Sequence, residues 1–403
     1  MKLTKLMLSA CVAALALVSC NKEEGPSVDG NYKSVEIEIA NLFMTKSTGN
    51  FIAEGTPITL NNLRLYLTDG SAIYYDATDE LGTTLAETAY QFAPTAADPL
   101  PETISYHFVN PKVTKVVALA NLTDAQYAKI EDYEDIKALK LQINEQQNPD
   151  ALALFDEATL VATGKQHFPQ GDTHKQDANE ITNVYEADLK LVPRVARFEL
   201  DGFAFKFFKE TPKYNKIAIN QVAFNNYYPT VDLFTGAEEG TLVDCLAEEQ
   251  VKAVQYLTGN TGTEWYSDKF TLVLERPATM DKDTWVNHQL ADDLYYHMFP
   301  ADPDVAVEPE TAGYPELMFQ LSAEDTAGNT TATYIYTKRF KNEAGEVIRT
   351  FEEGKIYRMN AAVLTDGEGD VPFDEDDIEQ LARCLDITVT VEDWNVILVT
   401  PEF

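Results

Sequence analysis

The sequence predicts an all-β protein with short helices, folded as two antiparallel β-sandwich domains. Three observations lead to this prediction. Many short segments alternate apolar and polar residues, turn-rich loops separate them, and few segments have helical periodicity. The 403 residues are 45% hydrophobic and 11% aromatic, which suffices for two large cores. No repeat with a period of roughly 20 to 50 residues is evident, which excludes solenoids and propellers.

The first segment has the pattern of an export signal. Lys2 and Lys5 supply positive charge, and an apolar run follows from Leu6 to Val18. This run is shorter than the roughly 20 apolar residues that a membrane-spanning helix needs. We therefore expect residues 1–19 to be removed as a signal peptide.

The end of this signal resembles the lipobox of bacterial lipoproteins, in the residues Leu17-Val-Ser-Cys20. The resemblance implies that Cys20 carries acyl chains, which anchor the protein in the outer membrane before any later processing. Asn21-Lys-Glu-Glu24 resembles the surface-export signal of lipoproteins in Bacteroidota. Residues 20–32 then form a tether. The alternative is an ordinary secretory signal that happens to end in cysteine.

The chain is strongly acidic. Its formal charge is −35, and loss of residues 1–19 removes two lysines and no acidic residue, which gives −37. Such a charge repels nucleic acid and anionic lipid, so nucleic acid is excluded as a partner.

Alternating segments predict the strands. In the first, from 33 to 40, the apolar face consists of Val35, Ile37 and Ile39. Its predicted polar face consists of Ser34, Glu36 and Glu38. Further strands are predicted at 58–67, 72–75, 103–109, 113–120, 184–191, 197–200, 216–224, 269–274, 316–321, 331–337, 355–363 and 387–399.

Helical periodicity is confined to residues 123–142 and 377–385, the second with Asp376 and Asp377 as candidate caps. Residues 164–183 are polar and loop-like, and a fresh alternating pattern starts at Val195. These features divide the chain near residue 192. We predict an N-terminal domain at 33–191 and a C-terminal domain at 192–403.

Residue patterns for catalysis and cofactors are missing. None of the five histidines (His107, His167, His174, His288 and His297) belongs to an HExxH motif, so surface positions are predicted for them. The sequence has neither a G-x-S-x-G nucleophile elbow nor a glycine-rich phosphate loop. The acidic segment 366–377 has Val371 where a calcium-binding EF-hand loop needs glycine, which favours a solvated loop over a calcium site. We predict no enzyme, no cofactor and no metal.

Cysteines and aromatic pairs leave alternatives open. Cys245 and Cys384 either form a disulfide or remain two buried thiols, and the sequence favours the thiols. Aromatic pairs at 74–75, 227–228 and 295–296, with Trp265 and Trp285, are typical of packing across strands. Alternatively, they form platforms for sugar rings, which makes a glycan-binding surface lipoprotein the alternative function.

The two ends of the mature chain carry the most specific functional signal. After the first strand, Thr45-Lys46-Ser47-Thr48 is a small polar segment with a basic residue, suited to a protease. Near the other end, an apolar run needs a partner; it comprises Trp394, Val396, Ile397, Leu398 and Val399.

Four features together resemble the fimbrillins, the FimA-like type V pilins of Bacteroidota. They are the lipoprotein signal, a first strand followed by a basic residue, Arg194-Val-Ala-Arg-Phe-Glu-Leu200, and the ending Thr388-Val-Thr-Val-Glu-Asp-Trp394. The resemblance implies two transthyretin-like β-sandwich domains. It also implies that a trypsin-like protease removes the first strand. In this sequence the cut would follow Lys46 and leave Ser47 as the new N-terminus.

Physical reasoning supports strand exchange. Loss of Val35, Ile37 and Ile39 would open an apolar groove with unpaired backbone groups, which the C-terminal strand of a neighbour can fill. About five buried apolar side chains contribute roughly 10 kcal/mol before ordering costs. Head-to-tail insertion of this kind builds a filament.

The sequence thus predicts a structural pilin subunit that supports adhesion. Its expected partners are other copies or related fimbrial subunits, the processing protease and a host or bacterial receptor. A fimbrial anchor that escapes cleavage and a tip protein remain as alternatives.

Overall fold

The structure is a computed structural model. It describes residues 32–40, 58–78, 85, 90–95, 100–101, 103–167, 181–207, 214–225, 227–239, 267–275, 284–299, 316–342, 344, 346–348, 350–359, 362–365, 384–388 and 390–393.

Eleven strands and two short helices precede residue 196 in this part of the chain. The strands are β1 (Lys33–Ala40), β2 (Leu63–Thr68), β3 (Ile73–Tyr74), β4 (Gln91–Phe92), β5 (Thr103–Val109), β6 (Lys115–Ala120), β7 (Lys140–Gln142), β8 (Leu154–Thr159), β9 (Val161–His167), β10 (Thr182–Lys190) and β11 (Val192–Pro193). The helices are α1 (Asp124–Tyr127) and α2 (Tyr133–Lys137). Single 3₁₀ turns occupy Ile143–Gln146 and Pro149–Ala151.

Thirteen described strands follow. They are β12 (Ala196–Phe207), β13 (Tyr214–Asn225), β14 (Thr230–Asp232), β15 (Glu238–Glu239), β16 (Ser267–Glu275), β17 (Thr284–Met298), β18 (Glu316–Asp325), β19 (Thr330–Lys341), β20 (Val347–Ile348), β21 (Lys355–Met359), β22 (Ala362–Thr365), β23 (Cys384–Thr388) and β24 (Thr390–Asp393).

The strands of the N-terminal half form two sheets. The first has the order β5-β1-β10-β9, and the second has the order β11-β8-β6-β2-β3, with β4 also paired to β2. Strand β10 packs against β6 and β8 of the second sheet. Apolar residues from both sheets are buried in a common core, among them Ile37, Val117 and Leu119, each 0% exposed.

The strands of the C-terminal half form two further sheets. Their orders are β17-β12-β21-β24, with β22 also paired to β12, and β16-β13-β18-β19-β20, with β23 also paired to β19. Aromatic rings join the two layers. The Phe198 ring of β12 lies 5.5 Å from that of Phe224 in β13 and 5.3 Å from that of Phe340 in β19. All three rings are buried, so each half packs sheet on sheet.

A small fifth sheet crosses between the halves, with the order β15-β14-β7. Val231 of β14 pairs with Leu141 of β7, and both are buried. Arg194 adds side-chain contacts at this junction, since its Nε donates to the Leu233 carbonyl at 2.8 Å and its Nη1 to Glu353 at 2.8 Å. The two halves therefore share backbone pairing as well as side-chain contacts.

A buried charged cluster lies beside the junction. Arg197 and Glu199 of β12 are 1% and 0% exposed, and the Arg197 Nε donates to the Glu199 carboxylate at 2.6 Å. The Nε of Arg358 donates to the other oxygen of that carboxylate at 2.9 Å. The Arg197 guanidinium also stacks 4.0 Å above the ring of Tyr295. Each buried charge thus has partners, which offsets its desolvation.

His297 links this cluster to the N-terminal half. Its Nδ1 lies 2.8 Å from the Gln146 carbonyl, which can only accept, so Nδ1 carries the proton. Its Nε2 then accepts from Arg197 at 3.1 Å. The side chain is 0% exposed, and burial, with Arg197 as the second cause, lowers the pKa of His297 to about 3. His297 is therefore neutral at physiological pH.

The predicted fold class is confirmed: strands in packed sheets dominate, and the helices are short. Several pairings are nevertheless parallel, namely β1 with β10, β12 with β21 and β22, and β19 with β23. The boundary predicted at residue 192 falls in β11. The division into domains at 33–191 and 192–403 stays a prediction.

The helix predicted at 123–142 is wrong as a single element. Thr123 caps α1 in a capping box with Gln126, and Asp132 starts a second helix in a capping box with Asp135. Both are N-terminal caps, so each begins a separate short helix, and the chain continues from α2 into β7, which contains Leu141. Of the helix predicted at 377–385, the described residues Cys384 and Leu385 lie in strand β23.

Stability of the junction should depend on pH through His297. The folded pKa lies below the usual 6.5, so the unfolded chain alone binds this proton between about pH 6.5 and 3. Acidification from pH 7 to 5 should therefore lower the free energy of unfolding more in the wild type than in His297→Gln. The difference should grow by about 1 kcal/mol for each pH unit below 6.5. Urea titrations at several pH values measure this difference. Parallel pH profiles for the two proteins would contradict the assignment.

Candidate assembly interface

Strand β1 is an inner strand although it is the first described strand of the chain. One edge pairs in parallel with β10, from Lys33 opposite Asn183 to Ala40 opposite Lys190. The other edge pairs antiparallel with β5, where Val35 lies opposite Tyr106. Both rows of backbone groups of β1 are therefore used in ladders.

The apolar face of β1 belongs to the core. Val35 and Ile37 are 0% exposed and Ile39 is 6% exposed, whereas Glu38 points to solvent. The three apolar side chains together contribute roughly 5 to 9 kcal/mol by burial, at about 1.5 to 3 kcal/mol each. Without β1, the first sheet would lose this packing and leave the facing edges of β5 and β10 unpaired.

Lys33 begins β1 and is almost completely buried. Its exposed fraction is 1%, its Nζ donates to the Val113 carbonyl at 2.9 Å, and the ammonium lies 4.9 Å above the ring of Tyr185. A carbonyl dipole and an aromatic face both attract a cation. Lys33 therefore occupies a cation socket at this end of the strand.

Ser34 continues this polar end, and it is buried although it belongs to the predicted polar face of β1. It is 1% exposed, its hydroxyl lies 2.9 Å from Nδ1 of His107, and it also hydrogen bonds to the hydroxyl of Thr182. The ring of His107 stacks on that of His167 at 3.7 Å. Strands β5 and β10 thus each place a side chain against the Ser34 hydroxyl, and β9 supplies the ring that stacks on His107.

A β-bulge places His107 against Ser34. Lys33 pairs with Val109 and Val35 with Tyr106, so β5 has one extra residue opposite Ser34. Within this bulge Phe108 has φ of 52°, a left-handed conformation that is strained for an aromatic residue. Bulges commonly redirect a side chain in this way. We name the partners of Lys33 and Ser34, which are Val113, Tyr185, His107 and Thr182, the polar socket.

Other predicted site residues lie outside the described residues. They are the lipidation residue Cys20, the cleavage residues Lys46 and Ser47, the donor residues Trp394, Val396, Ile397, Leu398 and Val399, the acidic segment 366–377, and Cys245. Strand β24 ends at Asp393, immediately before the predicted donor run, and lies at an edge of its sheet. Cys384 belongs to β23.

The prediction of surface histidines is wrong for two of the five. His107 is 4% exposed because it faces Ser34, and His297 is 0% exposed because it bonds Gln146 and Arg197. The sequence predicts a strand around His107 but none around His297, and alternation alone does not indicate whether a histidine faces the core or solvent. His174 lies outside the described part of the chain.

The aromatic pairs lie mainly in the core. Tyr227 is 1% and Tyr296 is 2% exposed, so these rings are not available as exposed platforms. Tyr74 donates its hydroxyl to Asp69 at 2.8 Å and is half-buried. Packing across strands is therefore the main role of the pairs in the described residues.

No three His, Cys, Asp or Glu side chains among the residues that the structure places form a group suited to a metal ion. Neither described helix has the length and apolar composition of a membrane span.

Similarity to known proteins is visible only at the level of structure. A candidate cell adhesion protein from Parabacteroides distasonis has a TM-score of 0.51 at 13% identity, covering 93% of this chain and 100% of that one. A candidate cell adhesion protein from Bacteroides eggerthii has a TM-score of 0.46 at 12% identity, and the match covers 91% of this chain and 97% of that one. The tip fimbrial protein Mfa3 from Porphyromonas gingivalis has a TM-score of 0.33 at 10% identity, and the match covers 84% of this chain and 96% of that one.

No protein-family model and no curated protein matches the chain. Of the three structures, the first alone has a TM-score above 0.5, and its likeness at 13% identity shows a shared fold.

Core contacts of β1 should dominate its attachment. Ile37→Ala removes a fully buried side chain from the strand and should lower the free energy of unfolding by about 2 to 5 kcal/mol. Glu38→Ala, on the exposed face of the same strand, is the matched control and should change it by less than about 0.5 kcal/mol. Urea denaturation measures both. Equal effects of the two substitutions would contradict the packing described for β1.

Proposed function

We propose that this chain is a structural subunit of a surface fimbria, exported as a lipoprotein and assembled by strand exchange. A trypsin-like protease cuts after Lys46, β1 is lost, and a strand of a neighbouring subunit takes its place. The protein is non-enzymatic and works at the cell surface. Cys20 holds it in the outer membrane through lipid until the cut.

The position of β1 is the observation that carries this proposal. Strand β1 lies between β5 and β10 and buries Val35 and Ile37 completely. A cut after β1 leaves every later strand covalently connected. Its loss would expose an apolar groove with two unpaired strand edges, which is the geometry that accepts a β-strand from another chain.

The opposite end of the chain supports the donor half of the scheme. Strand β24 is the last strand in the order of its sheet, and the apolar residues Trp394 to Val399 follow it directly in sequence. A segment that leaves an edge strand can reach a neighbour without disturbing the sheet. Because donor and acceptor surfaces differ, each added subunit leaves a new acceptor or donor site open, and growth is linear.

Assembly should require a basic residue at the proposed cut. In cells, Lys46→Gln should retain β1 and abolish the high-mass ladders that surface protein would show on gels after mild denaturation. Lys46→Arg preserves the positive charge that a trypsin-like protease needs and should give ladders at the wild-type level. If Lys46→Gln assembles as well as Lys46→Arg, cleavage after Lys46 is not part of assembly.

A further inference from the structure

The polar socket contains a buried cation whose described contacts are a carbonyl and an aromatic face. Lysine is seldom fully buried, because its ammonium loses hydration. Here Lys33 is 1% exposed and receives compensation from the Val113 carbonyl at 2.9 Å and from the Tyr185 ring at 4.9 Å. The acceptor groove therefore favours positive charge at this position.

At the position of Ser34 the groove requires a hydrogen-bonding side chain and not a cation. Ser34 is 1% exposed, and its hydroxyl reaches both His107 and Thr182. An apolar side chain at this position would offer these groups no hydrogen-bonding partner, which is unfavourable in a buried site. His107 lies in the bulge of β5, and Thr182 and Tyr185 lie in β10, so the groups that contact Lys33 and Ser34 belong to parts of the chain other than β1.

The donor segment of this chain does not satisfy these requirements. Residues 386–399 contain no lysine and no arginine. Strand β24 keeps Glu392 and Asp393 paired with β21 in their own subunit, so the segment that can enter a neighbour's groove is the apolar run from Trp394 to Val399. In any register this run brings no cation to the position of Lys33, and the Val113 carbonyl and the Tyr185 ring lose the positive charge that Lys33 supplies.

We propose that the groove of this subunit selects a donor strand that begins with Lys or Arg, continues with Ser or Thr, and then has apolar residues at alternate positions. Such a strand belongs to a related subunit and not to another copy of this chain. The inference rests on the proposed function and names its partner. The filament then contains a different subunit next to this one, and the polar socket determines the order in which the two assemble.

Peptide exchange tests the proposal on the full mature chain. A specific protease site placed at residues 43–48 allows the chain to be cut while β1 stays bound. A fluorescent peptide with the sequence of residues 33–40 then replaces β1, and competitor peptides displace it. The competitors are the native sequence, Lys33→Arg, Lys33→Met, Glu38→Gln and the donor segment 386–399.

Native, Lys33→Arg and Glu38→Gln peptides should compete within about twofold of one another, since the first two supply a cation and the third changes an exposed residue. Lys33→Met keeps the length of the side chain and loses its charge, and it should compete about tenfold less well, the effect of one charged hydrogen bond. Segment 386–399 should compete at least tenfold less well than the native peptide.

Two results would overturn the inference, and they can be told apart. If the native peptide exchanges but Lys33→Met and segment 386–399 compete equally well, the socket has no selectivity, whereas the proposed function stands. If no peptide exchanges into the cut protein, β1 is not replaceable, and both the inference and the proposed function fail.

Discussion

Double pairing of β1 is the constraint on which the rest of the N-terminal half depends. Its backbone closes the gap between β5 and β10, and its side chains fill the space between the two sheets. Strand ladders and burial act together here, because the same eight residues provide both. Because β1 lies inside its sheet, one short segment is essential for the integrity of that sheet. Strand β1 also precedes all other described strands, so a cut after it would separate it from the strands that it completes, which is the physical basis of the proposed assembly.

Several contacts attach the C-terminal half to the N-terminal half. Pairing between β7 and β14, the contacts of Arg194 with Leu233 and Glu353, and the hydrogen bond of His297 with Gln146 all cross the junction or brace it. Arg197 and Glu199 are buried and paired, so substitution of either one would leave the other charge without its main partner. The sequence motif around Arg194 to Leu200 thus has a structural explanation, which is independent of any family resemblance.

Period-two alternation predicted the fold class and the strand β1, because one buried face imposes that pattern directly. It predicted 355–363 as one strand, and the structure describes β21 and β22 there, which pair with β12 in one continuous register. The apolar side of β1 was correct, but the burial of Lys33 and Ser34 was not foreseen. Their partners, Val113, His107 and Thr182, are distant in sequence, and a local pattern holds no information about a socket built by other strands. Parallel pairing of β1 with β10 depends in the same way on long-range topology.

The N-terminal sequence of protein released from the cell surface tests the central claim most directly, because it shows whether the molecule in its working state still contains β1. The account predicts a chain that begins at Ser47, after loss of the first strand. Surface protein that begins at an acylated Cys20 and retains residues 33–40 would contradict it, since the groove between β5 and β10 would then be permanently occupied by the molecule's own strand.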